Sequence, residues 1–489
     1  MEARPDIHHQ SSPRQPSGVA ELLDQAPRSR FHRRAVVISG IGFFTDAYDL
    51  FVISTVAALA TSQWHLSTTM TSWVTGSAIL GAFVGALVFG RLADLFGRKS
   101  VYVTVAVVMV VGALFSAFAQ DALWLILARF VLGLGIGGDY PVSAVLMSEY
   151  SNRDDRGRHV GLVFSMQALG LIVGPLVALC LLSSGMGGDI VWRLLLALGA
   201  LPAAAVVAMR AKMPESPRFV SQVLGSEKRA AEALARFSEG SIAATGAQEV
   251  GSGQSRRLKD FFTDRALLRL LLGTAGSWLL FDYAYYGNTL SLPSILHEVS
   301  PSASIDAKLL WSLGIFVVFA VPGYVLAFSK MDRIGHRRLQ LIGFAVMAVA
   351  FTVLAAAGAL TSDVGAFLAI FGLSYLFIEF GPNSTTFVLA SEVFPVESRT
   401  TGHGLAAGLG KLGAFIGAFL VPSLEGSVGL RGMLAVAAGA AVLGFLVTLV
   451  LPEPARRSLE ELSPRAELRP IPAFGEDSSE LGEPLRASG

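Results

Sequence analysis

Gly90-Arg91-Leu92-Ala93-Asp94-Leu95-Phe96-Gly97-Arg98-Lys99 is a short polar turn between two long apolar runs, and the chain carries a second version of it, Asp332-Arg333-Ile334-Gly335-His336-Arg337. Asp94, Gly97, Arg193 and Pro214 recur 238 positions later as Asp332, Gly335, Arg431 and Pro452. Glu149 and Arg156 recur 243 positions later as Glu392 and Arg399. Duplication of one half-length unit explains both offsets. A tight turn with one Asp and several cations suits a latch between neighbouring helices. Asp94 and Arg98 would form it in the first copy, Asp332 and Arg333 in the second. A ligand is not expected there.

The flanking runs set the class. Of 489 residues, 53% are hydrophobic and only 15% charged, whereas soluble domains have about 25% charged residues. Net charge +1 with this hydrophobicity excludes disorder. Lys and Arg number 38 against 37 Asp and Glu, so the basic excess of a nucleic-acid binder is missing. Cys180, the single cysteine, excludes an internal disulfide framework and a multi-Cys metal site. No nucleophile–base motif, phosphate loop or metal cluster stands out, so no enzyme, metal or cofactor is expected. His8 and His9 lie side by side in a polar tail and read as solvated. A multi-pass membrane protein remains. A spanning helix takes roughly 20 apolar residues, and twelve such runs are present: about 35–60, 72–94, 100–119, 122–149, 159–183, 190–212, 268–297, 308–329, 339–360, 364–392, 401–423 and 430–452.

The expected fold is therefore all-α and integral to the membrane, with twelve transmembrane helices in two pseudo-symmetric six-helix bundles, 35–212 and 268–452. Residues 1–34 form a polar N-terminal tail without a signal peptide, ending in Arg28, Arg30, Arg33 and Arg34. Residues 213–267 form a linker with an amphipathic stretch from Lys228 to Phe237 and a Gly/Ser-rich stretch from Ser238 to Ser255. Residues 453–489 form a polar C-terminal tail. Loops near 61–71, 119–122, 184–190, 298–307, 361–363 and 424–430 contain no Lys or Arg; the opposite loops hold Arg91, Arg98, Lys99, Arg153, Arg156, Arg158, Lys330, Arg333, Arg337, Arg338 and Arg399. The positive-inside rule then places both termini and the linker in the cytoplasm.

Ionisable residues inside spans are costly and usually serve a pathway. Asp46 and Asp49 are three residues apart, on one helix face. Carboxylates this close repel, and sharing one proton relieves the repulsion, which suits a proton carrier. Asp139 and Tyr140 follow Gly133-Leu134-Gly135-Ile136-Gly137-Gly138. Those glycines read as helix packing, since a nucleotide-binding loop needs a preceding strand. Arg129 is read either as a charge partner for a first-span Asp or as a structural anchor. Trp278, Asp282 and Tyr286 are spaced by four and share a face, as a ligand-binding stripe would. Lys411 lies deep in span eleven, too far from its end for easy snorkelling, and a buried ammonium attracts an anion. Asn383 in Gly381-Pro382-Asn383-Ser384 offers neutral hydrogen bonds, with Glu379 one turn earlier.

With its duplicated turn, twelve spans and Pro214-Glu215-Ser216-Pro217-Arg218 after span six, the sequence resembles the major facilitator superfamily over about 35–452. Within it, Gly42 to Phe51, Gly137-Gly138-Asp139-Tyr140-Pro141, Trp278 to Tyr286, Phe380 to Phe387 and Gly410-Lys411 together resemble the phosphate:proton symporter family. The resemblance implies the major facilitator fold and phosphate bound centrally between the halves. It implies contacts from Tyr140, Gln167, Trp278, Asp282, Tyr286, Asn383 and Lys411. It implies Asp46, Asp49 and Asp139 in the proton path. Glu379 departs from the pattern, where Asn is usual, and Ala168 stands where Gly often follows the Gln. Glu379 and Arg129 are kept as auxiliary candidates.

The chemistry points the same way. Ionised Asp only accepts hydrogen bonds, and dihydrogen phosphate has P–OH donors for Asp282 while Lys411 offsets its charge. Sulfate would leave Asp282 unpaired and repelling; arsenate would not. The expected partners are phosphate, protons and the lipid bilayer of the cell (plasma or inner) membrane, with no nucleic acid and a monomer as the working unit. A proton-coupled carrier of a sugar or an organic acid, or a phosphate sensor without transport, are the competing expectations.

Overall fold

The computed structural model describes residues 19–237 and 257–462, and among them every regular element is helical. His8, His9, the whole Gly/Ser-rich stretch from Ser238 to Ser255 and the tail beyond 462 lie outside the described residues. Twelve long helices follow in chain order: α1 (Arg30–Trp64), α2 (Thr68–Phe96), α3 (Arg98–Ala117), α4 (Ala122–Tyr150), α5 (Arg156–Leu182), α6 (Gly188–Ala211), α7 (Arg265–Leu290), α8 (Ala307–Ile334), α9 (His336–Ala356), α10 (Val364–Glu392), α11 (Val396–Val421) and α12 (Gly426–Thr448). Eleven of them are long and apolar enough to cross a membrane. The exception is α7. Its first turns carry Arg265 and Arg269 and its second half reads Asp282-Tyr283-Ala284-Tyr285-Tyr286-Gly287-Asn288, so polar residues at both ends, two of the expected binding stripe among them, dilute its apolar character.

Local chemistry sets the boundaries. Ser67, Asp121, Ser304 and Asp363 cap α2, α4, α8 and α10, accepting from Met70 N, Trp124 N, Ala307 N and Ala366 N. The first helix starts at Arg30, earlier than the apolar run suggests. The Ser29 N–H donates to the His32 ring at 3.1 Å, which satisfies a helix-end group and draws Arg33 and Arg34 into the first turns. The expected loop between spans eleven and twelve shrinks to a corner inside the helical run Arg399–Thr448, where Gly429 takes φ 69°, a conformation open chiefly to glycine. In the linker, the amphipathic stretch forms the helix Glu227–Phe237.

Two packing features position the centre. In α2 and α4, small residues face each other: a Cβ on Gly81 would run into the Phe130 carbonyl, and one on Gly133 into the Ala78 carbonyl. Such backbone approach is what glycines permit in a bilayer, where lipid offers no hydrophobic drive for helix pairing. In α10, the helix opens into a wider turn over Glu379–Asn383, with Gly381 at φ −108° and ψ −110°. Pro382 removes a donor there, and the break lies beside the buried Glu379 and Asn383. The outer surface is apolar, with Leu127, Leu201, Val349 and Leu443 exposed, as a lipid-facing wall requires.

The duplicated turn repeats in detail. Gly97 (φ 94°, ψ 147°) and Gly335 (φ 107°, ψ 138°) share one backbone conformation. A carboxylate covers the helix start after each. Glu215 accepts from Lys99 N at 3.1 Å; Glu453 accepts from His336 N at 2.7 Å and Arg338 N at 3.2 Å. An anion at a helix N-terminus is favoured by the helix dipole.

Candidate functional site

Lys411 on α11 is the hub of the interior. Gly410 beside it admits the Trp278 indole, since a Cβ there would lie 2.7 Å from Trp278 Cγ. The Lys411 ammonium donates to Tyr140 Oη at 3.0 Å and to Tyr286 Oη at 2.7 Å. It also sits 4.3 and 4.8 Å from the two ring centres, close enough for cation–π attraction. Tyr140 comes from α4 and Tyr286 from α7, so one ammonium ties together helices from both repeats. Tyr140 Oη donates to Asp46 Oδ2 at 2.6 Å and accepts from Gln167 Nε2 at 3.0 Å.

A second branch runs through α8 and α10. Asn383 Nδ2 donates to Tyr324 Oη at 2.9 Å and also to the Glu379 carboxylate. Tyr324 Oη donates to Gln167 Oε1 at 3.5 Å. Trp278 lies 6.2 Å from Tyr140, ring to ring. Asp282 is buried, and its Oδ2 has no hydrogen-bond partner. All seven expected ligand residues, Tyr140, Gln167, Trp278, Asp282, Tyr286, Asn383 and Lys411, are buried. Five of them join one hydrogen-bonded network. Asp46, Asp49, Arg129, Tyr286 and Lys411 line a cavity of about 20 Å³, the room of a single water.

The two other interior carboxylates have their own cations. Arg129 grips Asp49 with two bonds of 2.9 Å. Arg210 grips Asp139 at 2.7 and 2.9 Å, and Ser143 adds a bond of 2.9 Å to Asp139. Asp46 and Asp49 therefore differ: three residues of helix rotation turn one to Tyr140 and the other to Arg129. Of the two readings of Arg129, the charge partner is the one the geometry has. Arg210 and Tyr324 escaped the sequence reading. Arg210 sits near the end of span six, where a cation looks like an ordinary flank. Nothing along the chain ties it to Asp139; in the fold, Gly42 makes room for the pair, since a Cβ there would meet the Asp139 carboxylate and lie 2.7 Å from Arg210 Nη2. The signal for Tyr324 was a phenol inside the apolar run Val321-Pro322-Gly323-Tyr324-Val325-Leu326.

The polar turns bind the repeats to each other. Asp94 accepts from Thr401 N and Thr401 Oγ1, both at 2.6 Å, and from Thr400 N at 3.3 Å. Arg98 lies 3.0 Å from Asp94 and donates to the Val396 carbonyl at 2.6 Å. Asp332 accepts from Gly157 N at 3.0 Å and Arg158 N at 2.7 Å. Arg333, expected in the second latch, is exposed. Its intended place is held by His336, the counterpart of Arg98, which lies 3.2 Å from Asp332 and 2.9 Å from Glu392. The 238-residue offset maps Arg98 onto His336, so counting from Gly335 identifies the partner that a search for a cation next to Asp332 misses.

Segments flanking the helices reinforce this end. Asp24 pairs with Arg218 at 2.5 Å and Arg156 at 3.1 Å; Arg218 also meets Glu460 at 2.6 Å. Arg28 pairs with Asp155, and this bond holds the Asp155 carboxyl below its ordinary range. At the opposite end, aromatic contacts join the repeats: Phe51 to Phe316 at 5.3 Å and Trp73 to Phe419 at 5.9 Å.

Residues 35–465 match the family model described as "Sugar (and other) transporter". The chain belongs to that family, within the major facilitator superfamily. It is a membrane transporter and not an enzyme. A Medicago truncatula protein called low affinity inorganic phosphate transporter 4 is 36% identical over 91% of this chain and 94% of its own length. Inorganic phosphate transporter 1-6 of Oryza sativa subsp. japonica is 36% identical over 92% of this chain and 95% of its own length. Among solved structures, the proton:xylose symporter XylE bound to 6-bromo-6-deoxy-D-glucose superposes with a TM-score of 0.77 over 88% of this chain and 98% of that one, at 20% identity. The inward-open form of XylE from E. coli reaches 0.63. At these identities the likeness establishes the fold.

Proposed function

We propose that the chain carries inorganic phosphate together with protons by alternating access, from a multi-pass position in the cell membrane with both termini cytoplasmic, as a monomer built of bundles 35–212 and 268–452. The observation that carries this reading is the buried Lys411, held by phenols from both repeats. A tetrahedral anion at Lys411 takes donors from Tyr140, Tyr286, Gln167 and Trp278, and from Asn383 an N–H released by Tyr324. The unpartnered Asp282 Oδ2 accepts from a P–OH group, which sulfate lacks. Names of the plant relatives point to the same cargo. Asp46 reaches the site through Tyr140, so the ionised Asp46 carboxylate and the anion compete for one hydroxyl proton, and protonation of Asp46 releases that hydroxyl to the anion. Asp49 and Asp139 hold the proton path's surroundings through Arg129 and Arg210. The bundles then rock about the centre, with Asp94, Arg98 and Asp332 closing the basic end.

Labelled-phosphate uptake into proteoliposomes under an imposed pH gradient tests the reading. Accumulation that arsenate inhibits, and that sulfate, glucose and citrate leave alone, is expected. Absence of gradient-driven phosphate accumulation would overturn it; competition by glucose or citrate would transfer the site to another cargo.

A further inference from the structure

Glu379 is fully buried, yet among the described residues no cation pairs with it. Asp49 and Asp139 each have an arginine, and Asp46 shares its surroundings with Lys411. The titratable groups facing Glu379 are phenols: Tyr285 from α7, Tyr324 from α8 and Tyr375 from its own α10. The helix α8 closes over it at Gly323, where a Cβ would lie 2.8 Å from Glu379 Cβ. Lys411, the cation of the central site, spends its bonds on Tyr140 and Tyr286. A buried carboxylate without a cation is costly, and taking up a proton removes that cost.

The hydrogen bonds leave a place for the proton. Both N–H groups of the Asn383 amide are engaged, one to Tyr324 and one to Glu379 Oε2. Tyr324 Oη donates to Gln167 Oε1, Gln167 Nε2 donates to Tyr140 Oη, and Tyr140 Oη to Asp46. A continuous chain thus joins a carboxylate of the second repeat to one of the first, and both ends accept. Glu379 Oε1 is the one oxygen of that pair of ends that is buried without a hydrogen bond. A proton on Oε1 leaves every bond of the chain in place.

We propose that Glu379 is a proton-carrying residue of the second repeat, loaded before the site closes and unloaded when it opens to the other side, adding one proton to each transport cycle. This rests on the phosphate:proton reading above. In this scheme, movement at the α10 break beside Glu379 exposes the carboxyl to water and lets the proton leave. The Asn383 bridge links that event to the anion site.

The test measures the null-point proton:phosphate ratio in proteoliposomes for wild type, E379Q and E379N. Phosphate–phosphate exchange at equal pH is measured alongside, because exchange needs binding and alternation without net proton movement. One proton moving down one pH unit supplies about 1.4 kcal/mol, so losing it lowers steady-state phosphate accumulation about tenfold per unit of gradient. The expected result is exchange retained with a ratio lower by one. An unchanged ratio in an exchanging variant overturns the proposal while leaving phosphate symport intact. Failure of wild type itself to couple phosphate to protons is the separate failure of the earlier reading. Should neither variant exchange, infrared spectroscopy of the wild-type and E379Q proteins decides. A protonated carboxylic-acid band that shifts on adding phosphate to wild type and is missing from E379Q supports Glu379, and a band that persists in E379Q, or no such band in wild type, overturns the assignment.

Discussion

Replacing Asp94 with Asn loosens the basic end of the molecule by an amount the geometry allows one to work out. Asp94 is fully buried and accepts two bonds of 2.6 Å from Thr401 and one of 3.3 Å from Thr400, both on the other repeat. It also orients Arg98, whose 2.6 Å bond to Val396 crosses the same interface. Asn keeps one acceptor oxygen but points an N–H₂ group at the N–H groups of α11. Hydrogen bonds to a charged group contribute about 1.5–3 kcal/mol each. A net loss of about 2 kcal/mol from the closed arrangement is a conservative figure, which raises the open population about 30-fold. Met331, buried against Gly161 between the repeats, reports on it. With the exposed Cys180 replaced by Ser, M331C reacts with a maleimide only when this end opens. The labelling rate should rise about 30-fold in D94N, in protein that elutes as a single species. A rate within about threefold of the parent would refute the latch. D332N should act on the same gate more weakly, because Asp332 is partly exposed and accepts two backbone bonds across the interface.

Other outcomes follow from the interior. D282N should weaken phosphate binding by about tenfold or more, while D46N should spare binding and reduce gradient-driven uptake, since Asp282 has a free acceptor oxygen and Asp46 is already bonded to Tyr140; equal binding losses would undo this division. R210M strands the buried Asp139 carboxylate and should cost about 3–5 kcal/mol of stability, most of it restored by D139N in the same chain; additive losses in a thermal-denaturation cycle would contradict the pairing. Asp155 is held below its ordinary range by Arg28. Its folded-state value lies below its unfolded one, so the contact's stabilisation is present above about pH 4 and is lost as pH falls through the folded value. Hydrogen exchange of the helix Val19–Asp24, which is tied to Asn152 and Arg153 through Ala26 and Asp24, should quicken from about pH 6 to about pH 3 relative to the core. The R28Q variant should lose that pH dependence, and an identical profile in R28Q would assign it elsewhere.

Hydropathy, charge position and a repeat offset are local quantities, and they carried much of the reading. Runs of apolar residues mark helices because a bilayer demands internally satisfied backbone over a set length. The offset from Asp94 to Asp332 exposes the duplication without any knowledge of contacts. Buried charges announce themselves in the same way, since Asp46, Asp282 and Lys411 interrupt apolar runs. Even α7, the long helix that falls short of the other eleven as an apolar span, was legible through its stripe of Trp278, Asp282 and Tyr286.

Which group meets which was decided by the tertiary structure. Arg129 finds Asp49 and Arg210 finds Asp139 across 80 and 71 positions of chain. Tyr324 joins Gln167 to Asn383 only because α5, α8 and α10 converge. Arg333 and His336 are separated by less than one helical turn, yet the turn at Gly335 exposes one and buries the other. The sequence by itself thus determined that costly charges sit inside a duplicated helical membrane protein. A carboxylate's partner, and therefore whether it is neutralised like Asp139 or left without a cation like Glu379, depends on helices packed from distant parts of the chain. Hydrogen bonds and ion pairs act over a few ångströms, and no periodicity along one helix specifies the rotation of its neighbour.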